Sequence, residues 1–99
     1  PGSVGVICAD SRAAGVTKTL AAAGLPAEIV GSDGLAARLS VVPATLAKGL
    51  EFDHVVVVEP AEIVSAEPRG LRRLYVVLTR AVTTLTVLHT QPLPAELAA

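Results

Sequence analysis

The sequence is poor in rings and in sulfur: it has no Trp and no Met, and only one Phe, one Tyr and one Cys in 99 residues. A core without large aromatic side chains must be packed from small and β-branched ones, and Ala, Val and Leu supply most of the 52% apolar share. That composition favours a parallel sheet wrapped by helices. A single Cys excludes an intrachain disulfide and fits a reducing, cytoplasmic setting. Cys8 itself, within Val4-Gly5-Val6-Ile7-Cys8-Ala9, reads as a small buried hydrophobe and not as a reactive thiol.

Excess charge of either sign is also missing. Eight Lys and Arg face nine Asp and Glu, a net charge of -1. The chain therefore has no overall footprint of a free-standing nucleic-acid binder, and any contact with a polyanion must be local. No apolar run approaches the ~18 residues of a membrane span, and Pro1-Gly2-Ser3 has neither the basic start nor the apolar centre of a signal peptide. A soluble cytoplasmic domain with no membrane partner is expected. The mean hydropathy of +0.61 is high for such a domain, which suggests that part of its surface is normally covered. His54 and His89 have no second ligand at metal spacing and read as structural, so no metal site is expected.

The length suits one domain, residues 1–99. Val4 to Ala9 predicts a strand. Asp10-Ser11 offers an N-cap for a helix over Arg12 to Ala23, stopped by Gly24 and Pro26. Ala27 to Val30 and Leu39 to Val42 read as strands, with a turn cluster at Gly31-Ser32-Asp33-Gly34 between them. The four valines within His54 to Val58 predict a strand buried on both faces, ended by Glu59-Pro60. Over 69–82 the spacing predicts a helix with Leu71, Leu74, Tyr75, Leu78 and Val82 inward and Arg69, Arg73 and Arg80 on the opposite side. Thr83 to His89 predicts a last strand. Glu59, Glu62 and Glu67 read as a solvated connection, and Gln91 to Ala99 as a frayed tail or linker. The order is that of an α/β fold.

Chemistry concentrates in Lys48-Gly49-Leu50-Glu51-Phe52-Asp53, between two predicted strands, where α/β sheets collect ligands. Gly49 permits close backbone approach or a positive φ, Glu51 can accept hydrogen bonds from vicinal hydroxyls, and Lys48 can offer a point charge to phosphate. Spacing alone favours a plain glycine turn with solvated Lys and Glu. Arg80 follows Arg73 by two helical turns, which would place both on one face, about 10 Å apart, within reach of one polyanion. A solvated basic face is the plainer reading. Val76 and Val77 interleave with the arginines and argue against full exposure.

Thr45-Leu46-Ala47-Lys48-Gly49-Leu50-Glu51-Phe52-Asp53, followed by the valine strand, resembles motif V of the UvrD/Rep-like superfamily 1 helicases. Leu74-Tyr75-Val76-Val77-Leu78-Thr79-Arg80-Ala81 resembles their motif VI. The resemblance spans nearly the whole chain and implies a parallel-sheet, RecA-like second motor domain of the P-loop NTPase type. It further implies that Arg80 is an arginine finger directed at the γ-phosphate of ATP and that Glu51, with Gly49 beside it, binds the ribose. Thr45 and Lys48 would turn toward single-stranded nucleic acid, with DNA the expected track.

Three departures from the family pattern are visible. Cys8 and Ala9 stand where motif IV places an aromatic and an arginine, leaving Arg12 as a weak substitute. Pro43 and Thr45 replace the usual Thr and His of motif V. The span Gly31 to Leu39 has no room for the large inserted subdomain of UvrD and Rep, a form closer to the HelD-like ATPases that act on RNA polymerase. Most telling is the lack of any Gly-x-x-x-x-Gly-Lys-Ser/Thr phosphate loop or Mg²⁺-holding Asp-Glu pair. The chain alone is not expected to hydrolyse ATP. An N-terminal RecA-like domain of a longer protein would supply the phosphate loop and hold ATP with Mg²⁺. The alternative role is a HelD-like module coupled to RNA polymerase in place of duplex unwinding.

Overall fold

A computed structural model describes residues 2–31 and 38–98. Five strands form one sheet: β1 Val4–Cys8, β2 Glu28–Ile29, β3 Leu39–Pro43, β4 Phe52–Val58 and β5 Ala81–Leu88. Their spatial order is β2-β3-β1-β4-β5, and every pair is parallel. The helices are α1 Ala13–Ala22, α2 Pro60–Ser65, α3 Gly70–Leu78 and α4 Ala95–Ala98, with short 3-10 turns at Asp10–Arg12 and Ala44–Leu46. The α/β class and the parallel sheet expected from composition are both present. Among the described residues no helix is long and apolar enough to cross a membrane.

Strand alternation divides the core into two. On one face Ile7, Val42, Val55 and Val57 pack against Ile63 of α2 and Leu74 and Val77 of α3. On the other, Cys8 and Val41 pack against Ala13, Val16 and Leu20 of α1. The four-valine strand is thus not buried on both faces. Val55 and Val57 are wholly buried, whereas Val56 and Val58 are half-buried, because α1 lies against β2 and β3 and leaves the α1-side face of β4 partly open.

α1 ends where expected. Gly24 takes φ 83°, its N–H bonds Ala21 O at 3.0 Å and the Leu25 N–H bonds Leu20 O at 2.8 Å, the paired closure of a Schellman motif. Its start is different: no side chain caps it, because the Asp10 carboxylate is taken by Thr45. The turn expected at Ser32, Asp33 and Gly34 lies outside the described residues.

The helix expected over 69–82 stops at Leu78, and Val82 already belongs to β5. Its inner face is also rotated: Gly70, Leu74 and Val77 are buried, while Leu71 is 43% and Tyr75 70% exposed. Gly70 causes the rotation. A Cβ there would sit 1.8 Å from the Val64 carbonyl oxygen, so α3 rests on α2 through a residue without a side chain. α2 occupies the span that reads in sequence as a solvated connection; Pro60 opens it at a position where the missing N–H costs nothing. The expected frayed tail instead carries α4, whose Leu97 packs on the α3 side of the core. Exposed apolar side chains gather on α3 and β5, including Val82, Leu85 and Leu88, where the high mean hydropathy has its structural counterpart.

Gly70→Ala should cost roughly 1–3 kcal/mol, the usual range for overpacking, read as a lowered urea midpoint. An unchanged midpoint would mean that α3 does not rest on Val64.

Candidate functional site

Phe52, the chain's single phenylalanine, is buried where β4 begins, and its ring lies over Gly5 of β1. A Cβ on Gly5 would come within 2.6 Å of that ring, so the central strand leaves room for the anchor. The Phe52 N–H donates to Arg80 O at 3.0 Å. That bond holds the loop before β4 against the start of β5 and brings Leu50, Glu51 and Arg80 to one edge of the sheet.

Gly49 has φ 85°, with open space where a Cβ would lie, so the position calls for glycine through backbone sign and not through crowding. Glu51 is exposed and makes no hydrogen bond or ion pair among the described residues. Arg80 is half-buried and turned back over the end of α3. Its Nε donates to Val76 O at 3.1 Å, Nη2 to Thr79 Oγ1 at 3.1 Å and Nη1 to Leu50 O at 3.4 Å. These neutral acceptors use three of the five guanidinium N–H groups. An anion at this edge would meet the remaining two and could outcompete carbonyl oxygens, since charge-assisted bonds are about twice as strong.

The expectation that Arg73 and Arg80 share a helix face is not met. α3 ends before Arg80, which faces Leu50, whereas Arg73 Nη2 lies 3.4 Å from Glu67 Oε1. Arg73 lines a recess of about 240 Å³ with Lys48, Arg69, Arg72 and Val76. Its Nε is buried without an acceptor, a cost of ~1–3 kcal/mol for an ordinary buried donor. The convergence of Arg69, Arg72 and Lys48 was not expected, although the spacing of 69, 72, 73 and 76 along one helical side carries it. Thr45 is committed elsewhere: its N–H donates to Asp10 Oδ1 at 3.1 Å and its hydroxyl to Asp10 Oδ2, placing a carboxylate where a phosphate contact was expected.

At the carboxyl ends of β4 and β5 the supposedly solvated acids are bonded. Glu59, buried and at φ 51°, accepts from the Thr90 N–H at 3.1 Å, the Thr90 hydroxyl at 2.6 Å and the Gln91 N–H at 3.2 Å. Glu62 takes a two-pronged pair from Arg12, with Nε at 2.8 Å, and a bond from Gln91 Nε2 at 2.7 Å. Arg12 is therefore an ion-pair partner within the domain, not a spare phosphate ligand. The Thr90 hydroxyl holds the Glu59 carboxyl below its ordinary pKa, and Arg12 does the same for Glu62. Burial, reinforced by Asp10, pushes the Cys8 thiol up to about 11, the behaviour of a packing residue. His54 Nδ1 lies 2.7 Å from Thr84 Oγ1, and His89 Nδ1 lies 2.9 Å from Gln91 O. Two further recesses, of about 850 and 610 Å³, share no residue with the Glu51–Arg80 edge, and their linings are mainly apolar.

The class is a parallel-sheet α/β domain with uncommitted charged side chains, Lys48, Glu51, Arg69 and Arg72, gathered in the loop before β4 and at the start of α3. Residues 40–88 match the UvrD-like helicase C-terminal domain model. A solved structure, the C-terminal domain of a possible DNA helicase from Lactobacillus plantarum WCFS1, is similar over 98% of this chain, with 31% identity and a TM-score of 0.78. This chain spans 62% of that one. Comparison with curated proteins gives no match. The stretch similar to the UvrD-like helicase C-terminal domain, residues 40–88, contains both the Thr45 to Asp53 and the Leu74 to Ala81 segments. Neither match singles out the HelD-like branch or points to RNA polymerase.

Because the folded-state pKa values of Glu59 and Glu62 are lowered from 4.5, their contribution to stability is present above that pH and is lost as pH falls through the lowered values. Urea midpoints should therefore drop on acidification from about pH 4.5. Glu59→Gln should be less stable at neutral pH and lose less in acid. An equal acid loss in the variant would contradict the assignment.

Proposed function

We propose that this chain is the C-terminal RecA-like motor domain of a superfamily 1 DNA helicase or translocase. In this reading it completes an ATP site whose phosphate loop and Mg²⁺ ligands lie on an N-terminal RecA-like domain of the same protein. The carrying observation is the edge built by the Phe52–Arg80 bond, where the Arg80 guanidinium reaches the Leu50 carbonyl and Glu51, free of partners among the described residues, is the next residue along the chain. Two segments distant in sequence thus meet at one edge of the sheet, which supports reading them as a half-site.

The roles follow from the groups. Glu51, unpaired, is suited to accept from the two ribose hydroxyls. Arg80 can exchange its neutral acceptors for the γ-phosphate, whose charge spreads over its oxygens in the transition state, where fixed positive charge is most effective. Gly49 sets the backbone turn that presents Glu51. In this reading the Mg²⁺ accompanying ATP would be held by the N-terminal domain. Lys48 is the proposed contact to the nucleic-acid track. Thr45, bonded to Asp10, serves that contact by fixing the start of the loop.

In the full-length protein, Arg80→Ala should lower ATP turnover by about 10³ to 10⁵, the range found for arginine fingers, while ATP binding stays within a few-fold. Thermal melting guards against simple unfolding, because the substitution also removes the bonds over the end of α3. Unchanged turnover in a folded variant would overturn the proposal.

A further inference from the structure

We propose that the recess formed by Lys48, Arg69, Arg72 and Arg73 grips the backbone phosphates of a single nucleic-acid strand without reading its bases. This rests on the motor reading above and adds three residues to the track-binding surface.

Charge is the first argument. Four of the chain's eight Lys and Arg line one recess of about 240 Å³, opposed within it only by Glu67, although the chain as a whole carries -1. General basicity does not account for this. The cations are also largely uncommitted. Among the described residues the Lys48, Arg69 and Arg72 side chains have no hydrogen-bond or ion-pair partner, and the Arg73 side chain has only the long contact to Glu67. Arg73 additionally carries a buried Nε–H without an acceptor.

Shape and lining narrow the occupant. No aromatic side chain borders the recess, so it has no platform on which a base could stack. Charge-assisted forks to phosphate oxygens remain. The amino-terminal turn of α3, beginning at Gly70, adds its positive dipole end beside Arg69. A nucleoside triphosphate is the poorer fit, because Arg80 and Glu51, the groups suited to it, do not line this recess.

The test uses the full-length protein and fluorescein-labelled oligothymidylate of about 20 nucleotides, followed by anisotropy from about 50 to 300 mM salt. Arg69 and Arg72 are exposed, so Arg69→Gln with Arg72→Gln should fold normally. The double variant should bind at least about tenfold more weakly near 100 mM salt, with the log–log salt slope reduced in magnitude by about 0.7 for each phosphate no longer neutralised. Affinity for ATP should not change. Wild-type affinity and slope in the double variant would overturn the inference, as would weakened binding with an unchanged slope. If ATP affinity falls instead, the recess serves the nucleotide and the inference fails. The Arg80→Ala turnover assay stands apart: a pass there with an unaltered salt slope here rejects the recess and keeps the motor reading. A full-length protein that does not bind the strand at all rejects both.

Discussion

The hydrogen bond from the Phe52 N–H to the Arg80 carbonyl is the joint on which the candidate site depends. It lies between two constraints of different kinds. Beneath it, the Phe52 ring fills the space left by Gly5, fixing where β4 starts. Beside it, the Arg80 side chain folds over the last turn of α3 and reaches the Leu50 carbonyl. Loosen the ring or the helix end and Glu51 has no defined relation to Arg80. The chain places its single phenylalanine here, while the rest of the core is mainly valine, alanine, leucine and isoleucine, with Cys8.

A second pattern is the unequal commitment of charge. At the carboxyl ends of β4 and β5, and where α1 begins, Asp10, Arg12, Glu59 and Glu62 are satisfied by Thr45, Thr90, Gln91 and one another. Open α/β sheets commonly bind ligands at the carboxyl ends of their strands. Here that region is stitched together by internal bonds. The Glu51, Lys48, Arg69 and Arg72 side chains belong to the groups left without partners among the described residues, and they lie in the loop before β4 and at the start of α3. Groups left free near one another are available to a ligand; groups bonded to one another hold the fold.

The sheet was legible because its signal is local: β-branched runs, a glycine stop after α1 and the two motif segments each carry their meaning within a few residues. What escaped depends on packing partners. The inward face of α3 is set by Gly70 meeting the Val64 carbonyl, a backbone contact that hydropathy spacing does not register. α2 was hidden because Glu59 and Glu62 look like surface acids until Thr90 and Arg12, far along the chain, come to meet them. For the site, the motif resemblance alone suggests that the Lys48 to Asp53 loop and Arg80 work together, and in the fold the Phe52–Arg80 bond joins those two segments. The commitment of Thr45 to Asp10 and the gathering of arginines around Lys48 needed the fold, because each joins segments separate in sequence.

The central claim is that Glu51 and Arg80 form one half of a nucleotide site, and a crystal structure of the full-length protein with a non-hydrolysable ATP analogue and Mg²⁺ tests it most directly. The account predicts Arg80 released from the Val76 carbonyl and within hydrogen-bond distance of a γ-phosphate oxygen, with Glu51 on the ribose hydroxyls. A bound analogue that leaves Arg80 capping α3 and Glu51 in solvent would contradict it.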